Sequence, residues 1–260
     1  MHLIIFFPVY TMGSKGDFVV RRDNRMKEEL AGEKKHIFRG EAALLFAVLI
    51  NSFGVILMLY SRSGISAISS VPYAFSEVLP SLSLGTWTYI FQGVLVLSLM
   101  ILRKRFVLSY VFSFAVGFVF GEMLDVHELW IHVLPDAAQW RILYFLASYF
   151  LICLGVALSN RCGLPIVPTD LFPREFAKIM NVGYPAVKIS FDILCLTVTV
   201  GMTGLFLGRL QGIGIGTVLA ALTMGKTIGG IGSWLDKRME FVSLAMEKNQ
   251  KLYNFSSDRQ

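Results

Sequence analysis

The chain has 260 residues, of which 55% are hydrophobic and only 16% charged, with a formal net charge of +6. That is too little charge to cover a soluble domain of this length, so the composition, with a mean hydropathy of +0.61, indicates a polytopic membrane protein. The basic excess does not indicate nucleic acid, because its runs sit beside apolar segments, and Cys153, Cys162 and Cys195 lack the spacing of a zinc site or a disulfide framework.

Residues 1–41 read as a cytoplasmic tail or interfacial segment. Leu3–Val9 is apolar but too short to span, with no basic stretch ahead of it and no small-residue cleavage site behind. Six segments are then long and apolar enough to cross a bilayer, at about 42–60, 87–102, 106–124, 142–159, 184–206 and 213–235. Residues 236–260 form a second tail, whose Met239, Phe241, Val242, Leu244 and Ala245 suggest a short amphipathic helix on the membrane surface. With both termini cytoplasmic, 19 of the 24 Lys and Arg residues fall in cytoplasmic segments. That asymmetry sets the expected orientation. The expected location is a bacterial cytoplasmic membrane, with the lipid bilayer as the first partner.

The spans fall into two similar units, 42–125 and 142–235. Phe53-Gly54-Val55 leads to Ser63-Gly64-Ile65, and Leu154-Gly155-Val156 leads to Cys162-Gly163-Leu164. Each turn is followed by a polar, Pro-containing connector and a restart, at Leu84-Gly85-Thr86 or at Val182-Gly183-Tyr184. The third segment of each unit carries a mid-helix glycine, Gly117 or Gly225. A duplicated unit with an odd number of crossings inserts its second copy upside down. The expected fold is therefore all-α, with six transmembrane helices arranged as two inverted three-helix repeats with Gly/Pro-broken connectors.

The second unit also carries Gly163-Leu164-Pro165, Pro168-Thr169-Asp170, the pair Lys188 and Asp192, and Gly212-Ile213-Gly214-Ile215-Gly216-Thr217-Val218-Leu219. This pattern, over roughly residues 42–235, resembles the YczE/YyaS/YitT-like bacterial membrane proteins. In the first unit Ile65-Ser66-Ala67-Ile68 stands where the family has a Gly/Pro turn, and no acid follows Ser70. The resemblance implies a polar connector in the second half only, and a role described in terms of transport.

Several polar residues lie where membrane helices rarely keep them. Lys188 and Asp192 are one turn apart on the fifth segment. Lys188 is about 6 Å past Tyr184 and Asp192 about 12 Å, a depth that Lys226 matches from Trp234. Lys188 can snorkel to the headgroups but Asp192 cannot, so Asp192 is expected to pair with Lys226. Such a pair is either a tie between two helices or part of a solute site. Pro165, Pro168 and Pro173 argue against a continuous helix through 163–173, with a restart capped by Thr169 or Asp170. That restart is either a capped surface helix or an embedded half-helix lining a cavity. Gln92 and Asn51 are polar residues in apolar runs, fit to bond across helices or to line a cavity. Gly212, Gly214 and Gly216 open the sixth segment, and Gly225-x-x-x-Gly229 fits close helix packing. His127, Glu128 and His132 have HExxxH spacing in an expected outside loop, which is not the zinc-protease motif. Glu122 and Asp125 read as solvated boundary residues.

The expected function is secondary transport of a small polar solute, anionic or zwitterionic, with Asp192 coupling it to protons. No metal, cofactor or enzymatic activity is expected, and a homodimer is compatible with so small a bundle. The alternatives are an accessory or substrate-capturing subunit of a multi-component transporter, which would dock through Ala43-x-x-x-Ala47, and an intramembrane enzyme.

Overall fold

The computed structural model describes residues 36–243. In chain order these form β1 (His36–Arg39), α1 (Gly40–Tyr60), α2 (Ala67–Val78), α3 (Leu84–Arg103), α4 (Leu108–Ile131), α5 (Ala138–Ser159), α6 (Pro168–Met180), α7 (Tyr184–Leu207), α8 (Ile215–Arg238) and β2 (Met239–Val242). Six of these helices, all but α2 and α6, are long and apolar enough to cross a membrane. The protein is an all-α, multi-pass membrane protein.

The boundaries differ from the sequence reading in two places. α4 runs on to Ile131, so His127 and Glu128 stand on a helix and not in a loop. His127 packs its ring against Phe53 and Trp130, at centroid distances of 5.4 and 5.7 Å. Residues 239–242 are not helical: β2 pairs in parallel with β1, His36 opposite Met239 through Arg39 opposite Val242. The residues flanking the first and last helices therefore lie together at one end of the bundle. The tail segments 1–35 and 244–260, including Leu244 and Ala245, lie outside the described residues.

Each half follows the order long, short, long, long. The seam between the halves is the crossing of α1 and α5, which run antiparallel with glycine at both contact points. A methyl on Gly54 would lie 2.8 Å from the Ile152 side chain, and one on Gly155 would lie 2.9 Å from the Asn51 amide. α4 lies along α1, and α8 along α5. The short helices cross over: α2 packs on α7 and α6 on α3.

Both short helices begin inside the bundle. Ile68 and Val71 of α2 pack with Leu95, Phe191 and Cys195, and Leu95 is about 16 Å along α3. The far end of α2 returns to the start of α3, where Phe75 stacks on Trp87 at 5.0 Å. In α6 the first residue, Pro168, touches the mid-helix Gly117, while Glu175 reaches Arg103 at the end of α3. The two half-helices thus leave the interior toward opposite ends.

Proline placement explains why they are short and how they start. Pro168 occupies the first helical position of α6, where a missing N–H is harmless. Pro72 and Pro173 each stand at the sixth position of their helix. Residue 173 was expected to break the helix, but it sits within the second turn. Lacking an N–H, Pro72 and Pro173 cannot donate to the carbonyls of residues 68 and 169 in the first turns. The turns leading in need a positive φ, at Gly64 (107°) and Gly163 (69°).

The two halves differ in one respect. α3 and α4 pack tightly, with Gly85 and Gly121 in backbone contact. Asp125 fastens this crossing, accepting from the Gly85 N–H at 2.7 Å and the Ser83 hydroxyl at 2.5 Å. It caps α3 and is not the solvated boundary residue its position suggested. α7 and α8 form no such packed pair. Only 22% of the apolar window of each is buried, against 56% for α1.

Gly121→Val forces a side chain onto the Gly85 carbonyl and should cost about 1–3 kcal/mol, the usual range for overpacking. Gly229→Ala, at the matching place on α8, meets no atom within 4 Å. It should leave stability unchanged or raise it by up to about 1 kcal/mol through helix propensity. Thermal unfolding midpoints of the two variants in one detergent check the contrast.

Candidate functional site

α7 presents Val187, Phe191, Cys195, Thr199 and Thr203 as one buried stripe, at the four-residue spacing of a single helical face. The stripe packs on α2 and α6. Two of its members are polar and fully buried, and Thr199 bonds across to α2, with 2.8 Å between the Ser70 and Thr199 hydroxyls. Lys188 and Asp192 flank the stripe and bond to each other, with Nζ 2.6 and 2.8 Å from the two carboxylate oxygens. The pair is half-sheltered, with side-chain exposures of 30% and 13%.

Asp170 and Thr169 come from the first turn of α6. Neither caps the helix. Val167 is the N-cap and uses no side chain, because Pro168 already fills the first position. The charges that act on the Asp170 carboxylate are Lys188, Arg174 and the Asp192 carboxylate. Lys188, Asp192 and Asp170 are therefore one electrostatic group at the deep end of α6. Gln92 stands on the other side of the same helix start. It is fully buried, presses on Gly117 where Pro168 also touches, and neither of its amide atoms has a hydrogen-bond partner among the described residues.

The remaining residues singled out from sequence do not join this group. Asp192 pairs with Lys188, not with Lys226 as expected. Lys226 is exposed on α8 and makes no ion pair among the described residues. The physical reason is the separation of α7 from α8. Asn51 belongs to the α1–α5 seam, against Gly155. Gly212, Gly214 and Gly216 do pack closely. They receive the Gly64 turn, through Ile65 N–H to Gly212 O at 2.9 Å and Gly216 N–H to Ser63 O at 2.8 Å. Gly225 and Gly229 pack against nothing within 4 Å, contrary to the helix-packing expectation. Ala43 and Ala47 are buried within the bundle, so they offer no docking stripe to a partner.

Sequence reasoning missed three features. Glu175 of α6 is fully buried and accepts from Arg103 at 2.6 Å, the Tyr110 hydroxyl at 2.8 Å and Lys178 at 3.0 Å. An acid within the basic run Arg174 to Lys178, opposite Arg103-Lys104-Arg105, was the available signal. Arg62 and Arg161 each stand two residues before the positive-φ glycine. Arg62 pairs with Asp136, and Arg161 with Asp236 through two 2.7 Å bonds. Third, Val71-Pro72-Tyr73-Ala74-Phe75 and Phe172-Pro173-Arg174-Glu175-Phe176 share the proline and the phenylalanine three residues on, a likeness that glycine spacing alone does not show.

Glu175→Ala leaves Arg103 beside a vacated, water-poor site. Removing one partner of a buried ion pair costs about 3–5 kcal/mol. The variant should lose that much stability, read as a lower unfolding midpoint, and Glu175→Gln should recover part of it by keeping an acceptor for Arg103 and Tyr110 while losing the bond from Lys178.

Comparison with curated proteins and with solved structures found no match. The sequence profile of a family of unknown function, DUF6198, matches residues 38–232. That span takes in five crossings and most of the sixth, both half-helices and every residue of the site, and the chain belongs to this family.

Proposed function

We propose that the protein is a secondary transporter of a small polar solute, built as two repeats inverted across the bilayer. The observation that carries this reading is the pair of half-helices. Each begins inside the bundle, leans on the long helix of the other half, and leaves toward the opposite end. Non-helical backbone at such depth is tolerated where it is walled by protein or lines a cavity, and discontinuous helices with N-termini at the midplane are a common transporter device. The pairing of β1 with β2 supports termini on one side, and the lysine and arginine distribution makes that side cytoplasmic. The resemblance to the YczE/YyaS/YitT-like proteins and a bacterial cytoplasmic membrane belong to the same proposal.

The site chemistry supports the solute class. The α6 start offers helix N–H groups and the Gln92 amide to an anionic group. Lys188 adds a cation, and Asp192 and Asp170 are the carboxylates available to a proton or a cationic group. The opposite end carries a pocket lined by Tyr73, Ser76, Glu77, Ser83 and Glu128. Two carboxylates on that face disfavour a plain anion, so a zwitterion fits both ends best.

Uptake of labelled zwitterions and organic anions into proteoliposomes tests the activity. Asp192→Asn should abolish uptake driven by a pH gradient while leaving counterflow; pH-driven uptake at the wild-type rate would sink the coupling role. Orientation is tested by thiol labelling of Ser63→Cys and Leu164→Cys from each side of the membrane, with access expected from opposite compartments. The native cysteines are all buried, and burial pushes the Cys162 thiol up to about 11, so they stay silent at neutral pH.

A further inference from the structure

In the first half a helix pair closes through glycine, and in the second half the same pair stands apart. We infer that α8 moves onto α7 in a second state of the protein, bringing Lys226 to Asp192, so that Asp192 exchanges its Lys188 partner for Lys226 as the cleft between α7 and α8 shuts. The inference rests on the inverted-repeat reading above.

Position along the helices supplies the argument. On α3 and α7 the helix starts set the register, two residues later than the match of Gly85 with Gly183, and on α4 and α8 the glycines set it. α3 starts at Leu84 and α7 at Tyr184, so Gln92 and Asp192 are both the ninth residue of their helix. Gly117 and Gly121 are the tenth and fourteenth residues of α4, and Gly225 and Gly229 are the eleventh and fifteenth of α8. In the closed first half Gln92 presses on Gly117, Tyr89 packs on Gly121, and the Tyr89 and Phe118 rings meet at 5.2 Å. The same contacts carried to the second half set Asp192 on Gly225, Ile189 on Gly229, and Lys226 in the place of Phe118. Lys226 then lies over Ile189, less than one helical turn from Asp192 on the same helix.

Three features of the open state fit a pair waiting to close. Gly225 and Gly229 have no atom within 4 Å of where a side chain would begin, although the matching glycines are in tight contact. Lys226 stands exposed at mid-helix without an ion pair among the described residues. Among the described residues Asp192 is held only by Lys188 of its own helix, a pairing that can break without moving any other element. The connection from α7 to α8 supplies the hinge, with positive φ at Gly208 (66°) and Gly212 (75°).

Thiol cross-linking in native membranes tests this without any solute. Gly93 and Phe114 touch across α3 and α4, and their counterparts on α7 and α8 are Ile193 and Leu222, both exposed here. Ile193→Cys with Leu222→Cys should join within one chain through a short bifunctional thiol reagent. Gly93→Cys with Phe114→Cys, in contact already and only half-buried, is the positive control. Lys226→Gln should lower the rate of the first cross-link about tenfold, the population change that about 1.4 kcal/mol of lost pairing produces. Exchanging the two charges, Asp192→Lys with Lys226→Asp, should restore it, and Gly225→Leu should block it while leaving the control pair intact. Absence of the first cross-link in protein that forms the control link overturns the inference. A product of twice the chain mass also overturns it, because the glycine face then meets a second copy. Cross-linking as expected with no uptake of any solute supports the closure and counts against transport alone.

Discussion

Hydrocarbon offers no partner to a backbone N–H or C=O, and the rest of this fold follows from that constraint. A helix that starts at the midplane exposes its first N–H groups and the turn leading into it. Such a start needs protein on every side. α2 obtains its walls from α3 and α7, and α6 from α3 and α7 in the reverse sense. The Gly64 turn is also tied to residues 212–217 by backbone bonds. Neither half could hold its own half-helix, because each needs the long helix of the other. The two halves are therefore one folding unit, and the α1–α5 crossing that joins them is packed closely enough to need glycine at both contacts.

The same constraint concentrates function. Prolines at the sixth position of α2 and α6 withhold two hydrogen bonds from carbonyls in the first turns, at the depth where Gln92 stands unpartnered. Asp170, Lys188 and Asp192 gather at the same helix start. Polar groups kept in a membrane interior are costly, and here they converge on one place. Glu175 is equally buried but differs in kind. Three donors satisfy it at the bundle end, which makes it a structural tie between α6 and the α3–α4 turn.

Composition and hydropathy made the six crossings legible, because spanning length is a one-dimensional property. The glycine turns ahead of α2 and α6 were legible for the same reason. The half-helices were only partly legible. Residues 163–173 looked interrupted because proline usually breaks a helix, whereas Pro168 starts α6 and Pro173 fits its second turn. α2 was read as a connector because its twelve residues are few for a span and its serines are polar. The pairing of Asp192 was misassigned for a different reason. Equal depth says that two charges share a layer of the membrane, and it cannot say whether their helices touch. Asp125 was read as a solvated boundary residue and Glu175 escaped notice, because capping a distant helix start and accepting from a distant turn are tertiary facts.

Lys226 brings depth and contact together. A lysine at the centre of a spanning helix costs about 2.5–3.5 kcal/mol on the insertion scale, and a pure packing helix would gain by losing it. Asp192 lies at the same depth with a partner already in place four residues away. Lys188 and Lys226 compete for Asp192, and the one left without it carries the larger desolvation penalty. Lys188 can relieve it by snorkelling toward the nearer face, but Lys226, deeper by about 6 Å on the depth scale of the helices, has a longer way to go. The two arrangements are thus brought close in free energy by the chemistry of the side chains themselves. Near-degeneracy between two packings is the property that a protein alternating between two states requires.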